Sequence, residues 1–232
     1  MNNSHLTKRL AAVAAFVPPN ARIADIGSDH ALLPVHLVAT GKIQSAIAGE
    51  VIQGPFLRSQ AAVTQAGLSK QIQVRLADGL AAIHPDDQID TVVIAGMGGL
   101  LICHILAQQP AILKSIEHLI LEPNVEEMAV RQWLMQHHFL ITGEQILREG
   151  GHTYEVIQAR RQNKPVVYST AQLKFGPFLL QAQAPAFVAK WHHRLVTNRR
   201  ILANLARAQQ PPQQKIHALQ VENQQIKEVL HG

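Results

Sequence analysis

Residues 25–34 read DIGSDHALLP, two carboxylates, one glycine and a histidine set between the apolar residues that precede Asp25 and the apolar stretch VHLVAT. A turn that only reverses direction is served by Asn, Gly and Ser, so an acidic turn with an imidazole points to chemistry. A dinucleotide site would place G-x-G-x-x-G here, letting glycine backbone approach a pyrophosphate at a helix N-terminus. Only Gly27 is present, followed by Ser28, Asp29 and His30. Two phosphates would be badly served by Asp25 and Asp29. A cationic ligand without phosphate suits the turn, and S-adenosylmethionine has that chemistry: a sulfonium, an α-amino group and a ribose.

The other unusual residues take roles around such a ligand. Glu50 lies about 20 residues beyond the first turn, where an acidic residue can accept from both ribose hydroxyls. Asp78, followed by Gly79, can accept from an adenine amino group, and Gly27 lets backbone approach the ligand closely because it has no Cβ. Asp25 either orders the turn and its amides or contacts the methionine amine. Gly96-Met97-Gly98-Gly99 and Glu122-Pro123-Asn124 are two further clusters. Each aspartate taken alone also reads as a helix cap; their joint placement is what favours a cofactor site.

The elements that must position these residues follow from apolar periodicity. Strand-length apolar runs occur at RIADIG, SAIAGEV, IQVRLADG, DTVVIAG, HLILEP and YEVIQAR, separated by segments of helical spacing. That alternation predicts parallel βαβ units and a doubly wound α/β sheet. Every cluster named above falls just after a strand, the edge at which open α/β sheets bind ligands. Residues 5–17 place Leu6, Leu10, Val13 and Val17 on one helical face, ending at Pro18. Beyond residue 161, QNKPVVYSTAQLKFGPFLL reads as a linker and docking segment. Helical patterns over 187–208 and 215–230, broken by Pro211-Pro212, predict a coiled-coil-like hairpin.

Composition narrows the class. The chain has 232 residues, and its one cysteine, Cys103, excludes an internal disulfide and starts no zinc site, which fits a reducing compartment. No signal peptide and no apolar run of bilayer length are evident, so a cytoplasmic protein with no membrane and no metal partner is expected. Charge is unevenly placed: residues 1–164 carry 13 Lys and Arg against 14 Asp and Glu, and residues 165–232 carry 8 against 2. The division suggests a ligand-binding domain over 1–164 and a basic helical domain over 165–232 with a polyanionic partner. Lys190, Arg194, Arg199, Arg200 and Arg207 are its candidate RNA contacts.

DIGSDHALLP, GPF at 54–56, LADGL at 76–80, IAGMGGLLI at 94–102, LILEPN at 119–124 and FGPFLL at 175–180 together resemble the bacterial tRNA (adenine(22)-N(1))-methyltransferase family, the TrmK family. The resemblance runs over nearly the whole chain. It implies a class I methyltransferase domain with a C-terminal helical domain, moving a methyl group from S-adenosylmethionine to N1 of an adenine in the D-arm region of tRNA. Leu32 stands where the family often has Tyr, and Glu122 where it often has Gln. On the residues themselves, Asp25, Gly27, Ser28, Glu50, Asp78, Gly79, Gly96, Met97 and Gly98 are expected at the cofactor. Asp29 is the carboxylate expected near the target base, with His30 as an orienter, and Arg9, Gly99 and Asn124 are expected to contact substrate or RNA. A monomer is expected. Two rivals remain on sequence: the same fold acting on a small molecule or protein, and a non-catalytic RNA-binding relative.

Overall fold

The structure is a computed structural model that describes residues 6–231. Helix α1 (Lys8–Phe16) starts where the Thr7 hydroxyl accepts from the Leu10 N–H at 3.2 Å, and stops at the extended Val17 that precedes Pro18. The expected start at residue 5 lies outside the described residues. The chain then alternates as expected: β1 (Ile23–Ile26), α2 (Leu32–Ala39), β2 (Ala46–Glu50), α3 (Gln53–Gln65) and β3 (Ile72–Leu76). Two 3₁₀ turns (Gly79–Ala82 and Pro85–Asp87) lead to β4 (Thr91–Gly98), followed by α4 (Gly99–Gln108), α5 (Pro110–Leu113), β5 (His118–Val125) and α6 (Glu127–Gln136). After β6 (Phe139–Glu149) and β7 (His152–Arg161) come α7 (Thr170–Phe175), α8 (Pro177–Ala182), α9 (Pro185–Leu205) and α10 (Gln213–His231).

The sheet has seven strands in the order β3-β2-β1-β4-β5-β7-β6. Its first five members are parallel, while β7 runs antiparallel to both β5 and β6. The expectation of a sheet built from parallel units is corrected to a mixed sheet, and β6 is a strand the apolar pattern did not announce. Gly150 and Gly151, both at positive φ (57° and 83°), close β6 onto β7 through the two-residue turn that antiparallel hairpins favour.

Helices cover both faces. Val13, Leu37 and Val63 of α1–α3 pack on Ile23, Ile120 and Val156, and Ile102, Leu106 and Trp133 of α4 and α6 pack on Ile94, Leu121 and Ile157. The strand order reverses direction between β1 and β4, which opens a crevice beyond their carboxyl ends. A third apolar cluster seats Phe175, Leu179, Phe187, Trp191, Leu195 and Ile226 against Ile146 of β6, with Trp191 edge-on to Phe175 at 4.5 Å. Helices α9 and α10 meet where buried Asn198 donates to Glu222 and Asn223 at 2.8 and 2.9 Å.

Candidate active site

The crevice collects residues from five strands. Ile26 of β1 is in register with Gly49 of β2 on one side and Ile94 of β4 on the other, so their following turns sit side by side. Gly27, at φ 72°, donates to the Gly49 carbonyl at 2.8 Å. Asp29, His30 and Ala31 follow at φ 38°, 67° and 53°, three consecutive left-handed residues without a glycine among them. Such backbone is held only where its surroundings impose it, and it is concentrated at functional sites. It leaves Ala31 fully buried while the Asp29 side chain, 79% exposed, projects outward beside His30 at 3.4 Å.

Two carboxylates are buried beneath this turn. Asp25 is 4% exposed and accepts from the Ser28 hydroxyl at 2.6 Å. Burial pushes its pKa up to about 7, only partly opposed by Ser28 and Arg9 and reinforced by Glu50. Glu50, also buried, accepts from Ser59 at 3.2 Å, and burial raises its pKa too, against the hydrogen bonds from Ser59 and the Asp29 N–H. Both acids therefore favour a ligand that donates hydrogen bonds or carries positive charge. Asp78 is exposed at the end of β3, and its side chain caps nothing although it opens a 3₁₀ turn.

The β4 end is shaped by a bulge. Register with β5 shifts on either side of Met97, Gly96 adopts φ 78°, and its N–H turns onto Glu122 at 2.8 Å. Glu122 is fully buried, and the same carboxylate oxygen accepts from Arg9 of α1 at 2.6 Å. Burial raises the Glu122 pKa, with Arg9 and the Gly96 N–H opposing. Arg9 also lies 5.7 Å above the Tyr154 ring, and its own N–H, like that of Lys8, is held by Glu149. Ile23, Ile120 and Val156 face α1; two residues along each strand, the same face presents Asp25, Glu122 and Tyr154. Tyr154, Glu149 and Ser59 escaped the sequence reading. The first two became visible only once the β6–β7 hairpin brought them to this edge, and the Gly-Gly between two apolar stretches was the available signal.

Three expected contacts take other work. Gly99 is buried, and a Cβ there would stand 2.5 Å from the Glu126 carbonyl oxygen, so this glycine lets α4 pack on the β5–α6 turn. Met97 lays its methyl group against Gly27, where a Cβ would come within 2.1 Å of it, and so joins the two turns. Lys190 is held between Glu127 and Glu155, at 2.7 Å from the latter, so its ammonium is paired within the chain. Arg194 is paired with Glu222 at 3.0 Å but half exposed. Arg199, Arg200, Arg207 and Asn124 are exposed, Gly98 is half-buried at the start of α4, and Gly79 packs under Ile105. Among the described residues no three His, Cys, Asp or Glu side chains are arranged to hold a metal ion, and no helix is long and apolar enough to cross a membrane.

Residues 23–229 match the family described as TrmK: tRNA (adenine(22)-N(1))-methyltransferase. The chain belongs to the TrmK family. A tRNA (adenine(22)-N(1))-methyltransferase of Bacillus subtilis (strain 168) is 39% identical over 239 residues, covering 100% of both chains. The Streptococcus pneumoniae protein Sp1610, solved in complex with S-adenosyl-L-methionine, superimposes with TM-score 0.90 at 42% identity, over 98% of this chain and 100% of that one. M. capricolum TrmK, solved with S-adenosyl-homocysteine, does so with TM-score 0.86 at 26% identity, over 97% of each chain. The TrmK fold thus extends through the C-terminal helices as well as the sheet.

Proposed function

We propose that this TrmK-family chain transfers the methyl group of S-adenosylmethionine to N1 of adenine 22 in tRNA. The observation that carries the reading is the convergence of buried Asp25 and Glu50 with the positive-φ turns at Gly27 and Gly96 where the strand order reverses. These residues fit the cofactor: Glu50 accepts from the ribose hydroxyls, Asp25 with Ser28 from the methionine amine, and exposed Asp78 from the adenine amino group. Bound there, S-adenosylmethionine supplies an electrophilic methyl carbon.

The chain's own contribution is alignment and electrostatics. The N1 lone pair of the target adenine displaces the sulfonium sulfur in line; the new N–C bond replaces the S–C bond, and positive charge passes to the base. Holding the partners in line supplies much of the acceleration, with effective molarities on the order of 10⁵–10⁸ M. Asp29, carried outward by its left-handed backbone and oriented by His30, stabilises that charge near the N6 amino group or takes its proton. The bulge at Gly96 and exposed Asn124 form the acceptor side, with Arg9 held beside Gly96 through Glu122. Because N1 lies on the pairing edge, the base is received unpaired or extruded. Arg199, Arg200 and Arg207 hold the RNA backbone, so that residues 1–164 act as the methyltransferase domain and 165–232 as a tRNA-holding one, in a cytoplasmic monomer.

Incubation with labelled S-adenosylmethionine and unmodified bulk tRNA, followed by nucleoside analysis, puts the label in 1-methyladenosine. Bound cofactor with no label in any nucleoside would reject the reading.

The buried acids add a pH dependence. Asp25 is raised from 3.8 to about 7, so below pH 7 the free protein holds it as the neutral acid, and a cationic ligand must expel that proton. Cofactor affinity is expected to rise with pH, by about tenfold per unit while the acid form dominates, and to level off above pH 7. Titration calorimetry at pH 6 in two buffers of different ionisation enthalpy should show close to one proton released. The same shift makes the ligand-free fold lose stability as pH rises from 4 to 7, because the folded state binds the proton more tightly than the unfolded one.

A further inference from the structure

A buried ionic network joins the sheet to the C-terminal helices. Arg131 of α6, fully buried, donates to Glu144 of β6 at 2.7 Å and Glu155 of β7 at 2.6 Å. Lys190 of α9 reaches the other oxygen of Glu155 at 2.7 Å and also binds Glu127 in the first turn of α6. The chain enters the helical segment across this network. A Cβ on Gly176 would stand 2.7 Å from both Arg131 Nη2 and Glu144 Oε2, and the Phe178 N–H donates to Glu144 at 2.9 Å.

The five side chains come from four elements, α6, β6, β7 and α9, and Glu127 directly follows Val125 and Glu126, on whose carbonyls Gly99 is packed. The apolar cluster of Phe175, Phe187 and Trp191 around the same junction gains from burial in any orientation, since apolar burial is non-directional. Charge-assisted hydrogen bonds have geometry and select one orientation among those. Burial opposes the charged form of Lys190, yet Glu155 and Glu127 outweigh it and hold the ammonium above its usual pKa, so Lys190 stays charged at physiological pH.

We infer that Lys190 is a positioning residue for methyl transfer, locking α9, and with it tRNA held on Arg199 and Arg200, at a fixed angle to the acceptor side of the crevice. The inference rests on the methyltransferase reading. It separates α9 into two stretches: Lys190 serves the joint, and the exposed arginines further along serve the RNA.

The test uses the full chain with Lys190→Met, Glu127→Gln and Lys190→Arg, measuring cofactor affinity by calorimetry, tRNA affinity across a salt series, and kcat and KM on unmodified tRNA. Lys190→Met is expected to lower kcat about tenfold through misalignment, with cofactor affinity, KM for tRNA and the salt slope unchanged. Glu127→Gln should fall in the same direction by a smaller factor, and Lys190→Arg should restore most of the rate. A raised KM with unchanged kcat and a salt slope lower by about one would make Lys190 an RNA contact and overturn the inference. Unchanged kcat, or loss of cofactor affinity in parallel with rate, would overturn it too. Should Lys190→Met fail to fold, Glu127→Gln decides alone, because it leaves the pairs around Glu155 in place. A parent chain that binds cofactor but methylates no tRNA would instead defeat the functional reading, and the inference with it.

Discussion

Glu50→Ala is expected to weaken S-adenosylmethionine binding on the order of 10³-fold, from two charge-assisted hydrogen bonds to vicinal ribose hydroxyls worth about 1.5–3 kcal/mol each. The side chain is 5% exposed and already desolvated, so the ligand-free protein holds a carboxylate whose one side-chain partner is Ser59. The cost of burying it is already met in the folded chain, and the ligand gains the full benefit of an acceptor in place. Removing it should therefore leave thermal stability without ligand unchanged or slightly higher. Glu50→Gln keeps one acceptor oxygen without the charge and should fall between. Calorimetry with S-adenosylmethionine and S-adenosyl-homocysteine checks this: both should weaken equally, since the ribose is common to them. Unchanged affinity in Glu50→Ala would move ribose recognition elsewhere on the sheet edge.

The second large effect is on the fold. Arg131→Met is expected to destabilise the protein by about 3–5 kcal/mol, the usual consequence of leaving buried charges without a partner. The side chains of Arg131, Glu144 and Glu155 are 0%, 0% and 2% exposed, so no water can replace the guanidinium. A typical domain has only about 5–15 kcal/mol in total, and the urea midpoint should fall steeply. Adding Glu144→Gln to Arg131→Met should recover part of the loss, because one stranded carboxylate is neutralised. If the double variant were no more stable than the single one, repulsion between stranded acids would not be the cause.

The contrast between β5 and β6 explains what could be read from the chain. Strand β5 begins HLIL, with Leu119, Ile120 and Leu121 all buried, because a central strand is covered on both faces and reads as a continuous apolar run. Strand β6 has one core face, so it should alternate, yet Phe139 and Ile141 are buried on odd positions and Ile146 on an even one. The register shift between Ile141 and Gly143 inserts the extra residue that reverses the parity. A bulge is invisible to a period of two, and FLITGEQILRE was read as no strand for that reason.

Strand ends behave similarly. DIGSDH, Glu50, Asp78 and the Gly96–Gly99 cluster were legible because each lies at the carboxyl end of its strand or just beyond it, and parallel strands deliver those ends to one edge. Arg9, Glu122 and Tyr154 lie far apart in sequence and meet only because α1 crosses β5 and the antiparallel β7 there.

The sequence by itself determined the alternating fold, the sheet edge on which the unusual residues gather, the acidic first turn unsuited to a dinucleotide and the excess of positive charge in the last third. Only the tertiary structure decided how that charge is used. Lys190 and Arg200 carry the same charge on one helix, but Lys190 faces Glu127 and Glu155, 63 and 35 residues away in sequence, while Arg200 faces solvent. A charge count is blind to partners, whereas the energy of a charge depends on what lies within a few ångströms of it and on how much water has been removed. Both are properties of packing between distant segments, and they separate a paired, largely buried charge from one that faces solvent.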